Sequence, residues 1–581
     1  MTKAKFACAA LALAAVMQGA VGAASAQPAA AMPVPAAMAQ SGPGAATGLT
    51  SAQIYRPSAD AWPVYGGDYS GRRYSPLKQI DKETVRALGL AWTSDPLVTG
   101  PAPGVASGGD PRGVEVAPAT GVVRGSPLLV DGVLYASSPN NVWAIDARTG
   151  KMLWRFYWRH RGGTTIGSRG VGIWGDYLFV ATPDNYLISL DRKTGRERWH
   201  VEIEPFELQF FSTAAPTVVG DHVLVHTGSD HEQAGRLQSF DPVTGERQWS
   251  LWTVPLNDDD PGAKTWKNID AARHGGGQPW APGTYDPDTN LYIFGTSGPN
   301  PEYYAAPRNG PEGGDNTLFT SSMVAVDVAT GKMRWYYQSS PGGTHDYDAA
   351  QTPVLADILF KGRTRKVAMN AHRNGYFFVI DRVTGEHLLT TKVDANANWV
   401  ARINDRGQPI RDPAKDSHPD GVLVSPTNGG AANWPPPAYS PDTGLFYVAA
   451  SENMAMYYAT EGDPRGSLGL GGKTELPVAG GGSFLKAIDP STGKVAWQIR
   501  YPTAGATGYT RGIAGGLLTT AGGLVFGAAP DAGLVARDAA TGKALWNVRK
   551  QPNNAPQTYM LDGKQYLLFG SGPNLYAYAL P

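Results

Sequence analysis

The stretch Thr344-His345-Asp346-Tyr347-Asp348 sets two carboxylates two residues apart. It lies between a strand pattern, Met333-Arg334-Trp335-Tyr336-Tyr337, and an apolar run, Thr352-Pro353-Val354-Leu355. Side chains alternate along an extended backbone, so residues i and i+2 share a face and both carboxylates point the same way. Like charges that close raise each other's pKa unless a cation lies between them. Two kinds of chemistry follow: binding of a hard cation by oxygen ligands, and proton acceptance by a carboxylate kept ionised. An Asp-x-Asp at a solvated strand end serves neither, so the rest of the chain has to decide.

Whatever holds this pair is built from repeats. Asp-x-x-Thr-Gly occurs seven times, from Asp146, Asp191, Asp241, Asp327, Asp381, Asp489 and Asp538. Trp154, Trp199, Trp249, Trp335, Trp497 and Trp546 follow six of them at one spacing, and Leu389 takes that place in the fifth. Asp bonds its own backbone and Gly supplies positive φ, so each phrase is a hairpin turn. Alternating stretches such as Val142-Trp143-Ala144-Ile145 flank the turns. Periods of roughly 50 residues with four short strands each mark a β-propeller. Wider gaps before Asp327 and Asp489 hold further turns at Tyr285-Asp286-Pro287-Asp288 and Tyr439-Ser440-Pro441-Asp442. With an opening unit around Trp62 to Trp92, this predicts one all-β, eight-bladed propeller over residues 56–581. Its last strand, Leu575–Tyr578, closes the ring beside N-terminal strands.

Composition agrees with that reading. Gly numbers 72, Pro 46 and Trp 16, which suits short strands joined by frequent turns. Fifty basic residues balance 50 acidic ones, so the charge gives no reason to expect a nucleic-acid partner. Lys3 and Lys5, the apolar stretch Phe6–Val16 and Ala24-Ser25-Ala26 form an export signal over residues 1–26. Ala37-Met38-Ala39 offers a second cleavage site. The apolar core is too short to span a membrane. Residues 27–55 are Ala/Pro-rich and read as a disordered leader. The single cysteine, Cys8, lies inside the signal, so the exported chain carries no disulfide and no Cys-x-x-Cys-His haem attachment.

Trp62-Pro63-Val64-Tyr65-Gly66-Gly67-Asp68, Arg73-Tyr74-Ser75-Pro76-Leu77 and Leu90-Ala91-Trp92 resemble the opening of the pyrroloquinoline quinone (PQQ) alcohol dehydrogenases. The Trp repeat and Gly314-Asp315-Asn316, leading through Ser321-Ser322, resemble the same family. The resemblance implies PQQ and one cation on the axis of an eight-bladed propeller. It also implies periplasmic oxidation of a small-molecule alcohol and a separate electron acceptor, a c-type cytochrome. It places the catalytic Asp at Asp346 and the basic residue that bonds the quinone oxygens at Arg373. It puts the cation-binding Asn at Asn300, after a one-residue insertion, and the acidic ligand at Asp230, with Glu232 as the alternative. Thr213, Thr227, Gly228 and Ser229 fall where the family contacts one PQQ carboxylate, and Arg169 where it pairs with another. Trp280 corresponds to the indole floor beneath the quinone, and Asn433 to an edge contact.

The chemistry matches these roles. A flat tricarboxylate needs an aromatic platform, cations and small donors, and a cation on its quinone oxygens polarises the hydride-accepting carbonyl. Asp348 bears on the metal, because in the family an Asp two residues past the catalytic one marks a lanthanide-dependent branch. Asp230, Asp346 and Asp348 would then match a trivalent ion, with calcium as the alternative. Departures concern the substrate mouth. Gly163-Thr164 stands where relatives carry a disulfide of adjacent cysteines, Arg124 where many carry Glu, and Ala514 where many carry Trp. These favour a bulkier or secondary alcohol over methanol. A propeller scaffold of the outer-membrane assembly type would share the Trp repeat without needing Asp346, Asp348, Arg373 and Asn300. A sugar or polyol dehydrogenase of the same fold is the other alternative.

Overall fold

The computed structural model describes residues 49–114, 116–163, 167–229, 233–306, 308, 316–460, 472–478, 480–501 and 515–581. Residues 1–26, read as an export signal, together with Asp230, Glu232, Thr164, Ala514 and the Gly314-Asp315 pair, lie outside these residues. Among the described residues, eight sheets hold four or five strands each, joined almost throughout by antiparallel neighbours. Successive sheets follow the chain, and their hairpins turn at the repeated phrase. Asp146, for example, accepts the amides of Arg148 and Thr149 at 2.7 and 3.0 Å, and Gly150 takes φ 74°. The two degenerate turns are also hairpins, Thr284–Asp286 with Leu291–Gly295 and Ala438–Ser440 with Leu445–Ser451.

Four of the repeat tryptophans fasten one sheet to the next by an indole hydrogen bond. The Trp154 indole donates to the Arg192 carbonyl at 3.1 Å, Trp249 to Val328 at 2.8 Å, Trp335 to Arg382 at 3.1 Å and Trp497 to Ala539 at 3.0 Å. Each acceptor sits in the following Asp-x-x-Thr-Gly turn, whose glycine lies against the indole face. A Cβ on Gly195 would stand 2.4 Å from Trp154, and one on Gly331 2.6 Å from Trp249. The phrase therefore encodes a turn and a docking platform at once. At Leu389 the apolar contact survives without the hydrogen bond, since a Cβ on Gly493 would meet the Leu389 side chain at 3.1 Å.

Ring closure follows the expectation. Gly89–Thr93 pairs antiparallel with Asn574–Ala579, and Tyr74–Ser75 pairs parallel with Leu518–Thr520. Ordered packing starts earlier than residue 56, within the stretch read as a leader. Thr50 caps the short helix Ser51–Tyr55, and the buried Leu49 and Ile54 join the apolar core of the first sheets. The wide gaps in the repeat are insertions between strands. Residues 296–321 separate Leu291–Gly295 from Ser322–Asp327. Met454–Ala459 and Lys473–Val478, with Val422–Val424, form an added three-stranded sheet between Leu445–Ser451 and Ser483–Ile488. Both insertions reach the site described next. Among the described residues no helix is long and apolar enough to cross a membrane.

Candidate active site

Asp346 and Asp348 sit in residues 339–353, which link Met333–Gln338 to Val354–Phe360 without joining a sheet. Strand alternation therefore does not bring them together, contrary to the expectation from their spacing. Asp346 adopts φ 58°, a left-handed conformation that costs a non-glycine residue about 1 kcal/mol or more. Its neighbours hold it there. Tyr347 donates its hydroxyl to the Pro426 carbonyl at 2.6 Å, the His345 ring contacts the Lys415 carbonyl through Nε2 at 2.7 Å, and Thr344 donates to Asp416 at 2.6 Å. Burial pushes His345 down to about 4, against the pull of Asp416, so it packs as a neutral ring.

Arg373 brings the two carboxylates to one point. It follows strand Arg363–Ala371, and its guanidinium donates through Nη1 to Asp348 Oδ2 and through Nη2 to Asp346 Oδ2, each at 2.6 Å. A further bond runs to the Asn428 carbonyl. Burial opposes the charge of Arg373, but Asp346 and Asp348 outweigh it and hold the guanidinium well above its ordinary range. Asp348 has two more donors, the Trp280 indole at 2.9 Å on Oδ2 and the Gly298 amide at 2.7 Å on Oδ1. The Asp346 side chain is 16% exposed and that of Asp348 5%, so Asp346 is the carboxylate that a small molecule can reach.

A third carboxylate completes the cluster, and sequence reasoning missed it. Glu302 is buried, and carboxylate oxygens of Glu302, Asp346 and Asp348 lie within 4.8 Å of one another. Burial first, then the charges of Asp346 and Asp348, drive Glu302 well above the ordinary carboxylate range. Tyr303, next to it, donates its hydroxyl to Asp346 at 3.2 Å. Both residues belong to an irregular insertion, where no periodicity marks a side chain as inward-facing. The one available signal was Glu302 standing two residues after Asn300.

The remaining predicted residues fall into two groups. Arg169, Thr213 and Trp280 form one. Arg169 Nη1 donates to the carbonyls of Thr213 and Trp280 at 3.1 and 3.0 Å, and the Thr213 hydroxyl donates to the Trp280 carbonyl at 2.8 Å. The guanidinium lies 4.7 Å from the Trp280 ring and 5.3 Å from that of Trp434, which the sequence did not single out. Burial lowers Arg169 to about 10; Tyr65 opposes this and Arg124 adds to it. Among the described residues no carboxylate pairs with Arg169, and its buried Nε has no hydrogen-bond partner. A buried, unneutralised guanidinium against an indole face fits a planar anion such as the PQQ carboxylates.

In the second group, Asn300 and Asn433 adjoin the segments of Glu302 and Arg373, whereas Thr227 and Gly228 lie against Arg236 and Gln278. Asn300 is buried, with its backbone N–H donating to the Gly275 carbonyl at 3.0 Å. Asn433 lies in the loop that wraps Arg373 and donates to the Gly429 carbonyl at 2.8 Å. Gly228 packs on Gln278, where a Cβ would be 2.2 Å from the side chain, and Ser229 beside it is buried. The Thr227 hydroxyl turns to the Arg236 carbonyl at 3.5 Å. Asp230 and Glu232 lie outside the described residues.

Fold and site together define a propeller that gathers carboxylates around one guanidinium, beside a second guanidinium held against two indole rings. Comparison with known proteins names the class. Residues 62–396 and 483–567 match the PQQ family described as the glucose/ethanol/alcohol dehydrogenase β-propeller domain, and the chain belongs to that family. It is 34% identical to the quinohemoprotein alcohol dehydrogenase ADH IIB of Pseudomonas putida, covering 88% of this chain and 73% of that protein. With the quinoprotein alcohol dehydrogenase PedH of Pseudomonas putida it shares 31%, over 86% and 84%. Among solved structures, the quinohemoprotein alcohol dehydrogenase ADHIIG of Pseudomonas putida superposes with TM-score 0.78 at 29% identity, covering 92% of this chain and 82% of that one. A europium-containing methanol dehydrogenase superposes with TM-score 0.75 at 26% identity, covering 90% and 99%.

Proposed function

We propose that this chain is a PQQ-dependent alcohol dehydrogenase of the periplasm, with its eight sheets as the eight blades of the propeller. It takes a lanthanide(III) ion, with Ca2+ as the alternative, and passes electrons to a separate acceptor of the c-type cytochrome kind. The observation that carries the reading is Arg373 joining Asp346 and Asp348 while Trp280 donates to the same Asp348. That bond ties the aromatic floor to the cation site. Bound PQQ would supply the hydride acceptor, and the cation would polarise its carbonyl.

The chain's own residues do the rest. Asp346 is the carboxylate open to a substrate, so it accepts the alcohol proton, while Arg373 and the Tyr303 hydroxyl fix its orientation. Arg169 and Trp280 bind and orient the cofactor, and Asn300 joins Asp346 and Asp348 in holding the cation. Asp348, less exposed, serves as a ligand. The export signal supports placement outside the cytoplasm. The absence of an adjacent-cysteine disulfide at Gly163-Thr164 and of an indole at Ala514 favours a bulkier or secondary alcohol.

Reconstitution tests this. Purified protein given PQQ with lanthanum or calcium should oxidise alcohols from a graded panel, read with an artificial dye acceptor. Asp346→Asn should lose on the order of 100- to 10,000-fold in turnover, the usual range for a lost general base. Near-normal turnover of Asp346→Asn with metal bound would remove Asp346 from the reaction.

A further inference from the structure

We propose that Glu302 is itself a ligand of the cation, so that the acidic ligand set comes from the 296–321 insertion as well as from Asp346 and Asp348. This rests on the reading that the cluster binds a cation. Four observations carry it. Carboxylate oxygens of the three residues converge to within 4.8 Å. Ligands about 2.3–2.6 Å from a hard ion are separated by no more than about 5 Å, so the cluster has the right span. Glu302 is 2% exposed, and its Oε2 has no hydrogen-bond partner among the described residues. A buried carboxylate oxygen normally finds a donor or a metal.

Charge points the same way. Arg373 spends one nitrogen on Asp346 and another on Asp348. Arg308, buried below the loop, donates to the Pro301 carbonyl at 2.9 Å, the Glu302 carbonyl at 3.3 Å and the Gly343 carbonyl at 2.6 Å. Three carboxylates thus meet two guanidiniums, and Glu302 is the one whose Oε2 neither donates to. The Arg308 contacts also fix the Glu302 backbone, so its side chain is positioned without the ion.

Gly298 makes the arrangement sterically possible. A Cβ there would lie 2.2 Å from Glu302 Oε2 and 2.3 Å from Oε1, while the Gly298 amide donates to Asp348. Glu302 and Asp348 therefore meet across one glycine, which leaves both carboxylates room to face the same point. The family resemblance had assigned the acidic role to Asp230 or Glu232, on a different element. Glu302 adds a carboxylate from a loop adjoining Asn300.

The test is Glu302→Gln, nearly isosteric and uncharged. Metal-stripped, PQQ-loaded mature protein is titrated with Tb3+, read by luminescence excited through nearby aromatic rings such as Trp280 and Tyr303. Bound water is counted from lifetimes in H2O and D2O. Residues that act only behind a ligand cost about 10–100-fold in metal affinity, so a direct ligand should cost more than about 100-fold. The variant should also gain one coordinated water. Affinity and water count equal to wild type would overturn the proposal while leaving the cation site standing. Failure of the wild-type protein to bind Tb3+ would sink the cation reading itself, and this proposal with it. If Glu302→Gln does not fold by circular dichroism, Glu302→Asp decides: weakened Tb3+ binding supports ligation and unchanged binding refutes it.

Discussion

Asp348→Asn keeps the shape of the side chain while removing a charge and one acceptor oxygen. In the wild type, Oδ1 accepts from the Gly298 amide, and Oδ2 accepts from both Trp280 and Arg373. Asn has a single oxygen. Facing Arg373, it leaves its NH2 against the Gly298 amide; facing Gly298, it leaves two donors unmet. Even the milder choice strands the Gly298 N–H together with donors of the new NH2, at about 1–3 kcal/mol for each buried group left unpaired. The charge effect bears on metal choice. Two unit charges 2.6 Å apart, the distance at which Arg373 meets Asp348, interact by about 6 kcal/mol at an effective dielectric of about 20. A trivalent ion feels one more such unit than a divalent ion does. Even a quarter of that difference shifts the lanthanide-to-calcium preference about tenfold. Two assays follow: denaturant unfolding of metal-free protein, and turnover of PQQ-loaded protein with lanthanum or calcium. The variant should unfold earlier, and lanthanum-supported turnover should fall far more than calcium-supported turnover. Unchanged stability together with an unchanged metal ratio would refute the placement of Asp348 at the centre of the site.

Two further predictions concern the scaffold. Trp335→Ala removes a buried indole that docks on Gly385 and the Arg382 carbonyl, and should cost about 3–5 kcal/mol in unfolding free energy; a loss below about 1 kcal/mol would mean the indole does not fasten the sheets. His226, packed against Tyr292 and Phe294, is pushed by burial from its ordinary 6.5 down to about 3, so the unfolded chain binds a proton there before the folded one does. Its share of stability is present above pH 6.5 and drains as pH falls toward 3, so His226→Phe should flatten unfolding midpoints measured from pH 7 to pH 4; a profile parallel to wild type would refute this.

Much of the fold was legible because its rules are local. Asp146 through Gly150 form a turn by their own side-chain and backbone chemistry, and Trp154 follows at a fixed distance, so the unit can be read without knowing its neighbours. The same text foretold closure of the ring, since Leu575–Tyr578 is an alternating strand in need of a partner. Asp346, Arg373 and Trp280 were found as separate residues through their family resemblance, and tertiary structure decided how they meet. The two carboxylates do not converge by strand alternation; a left-handed Asp346 and one guanidinium from the turn after Arg363–Ala371 do it. Glu302 shows the limit most plainly. It lies in an insertion with no period, and its burial beside Asp348 depends on the backbone grip of Arg308 and the missing Cβ of Gly298. Local propensity fixes turns and strands, but convergence of side chains from distant loops depends on packing, which leaves no periodic trace along the chain.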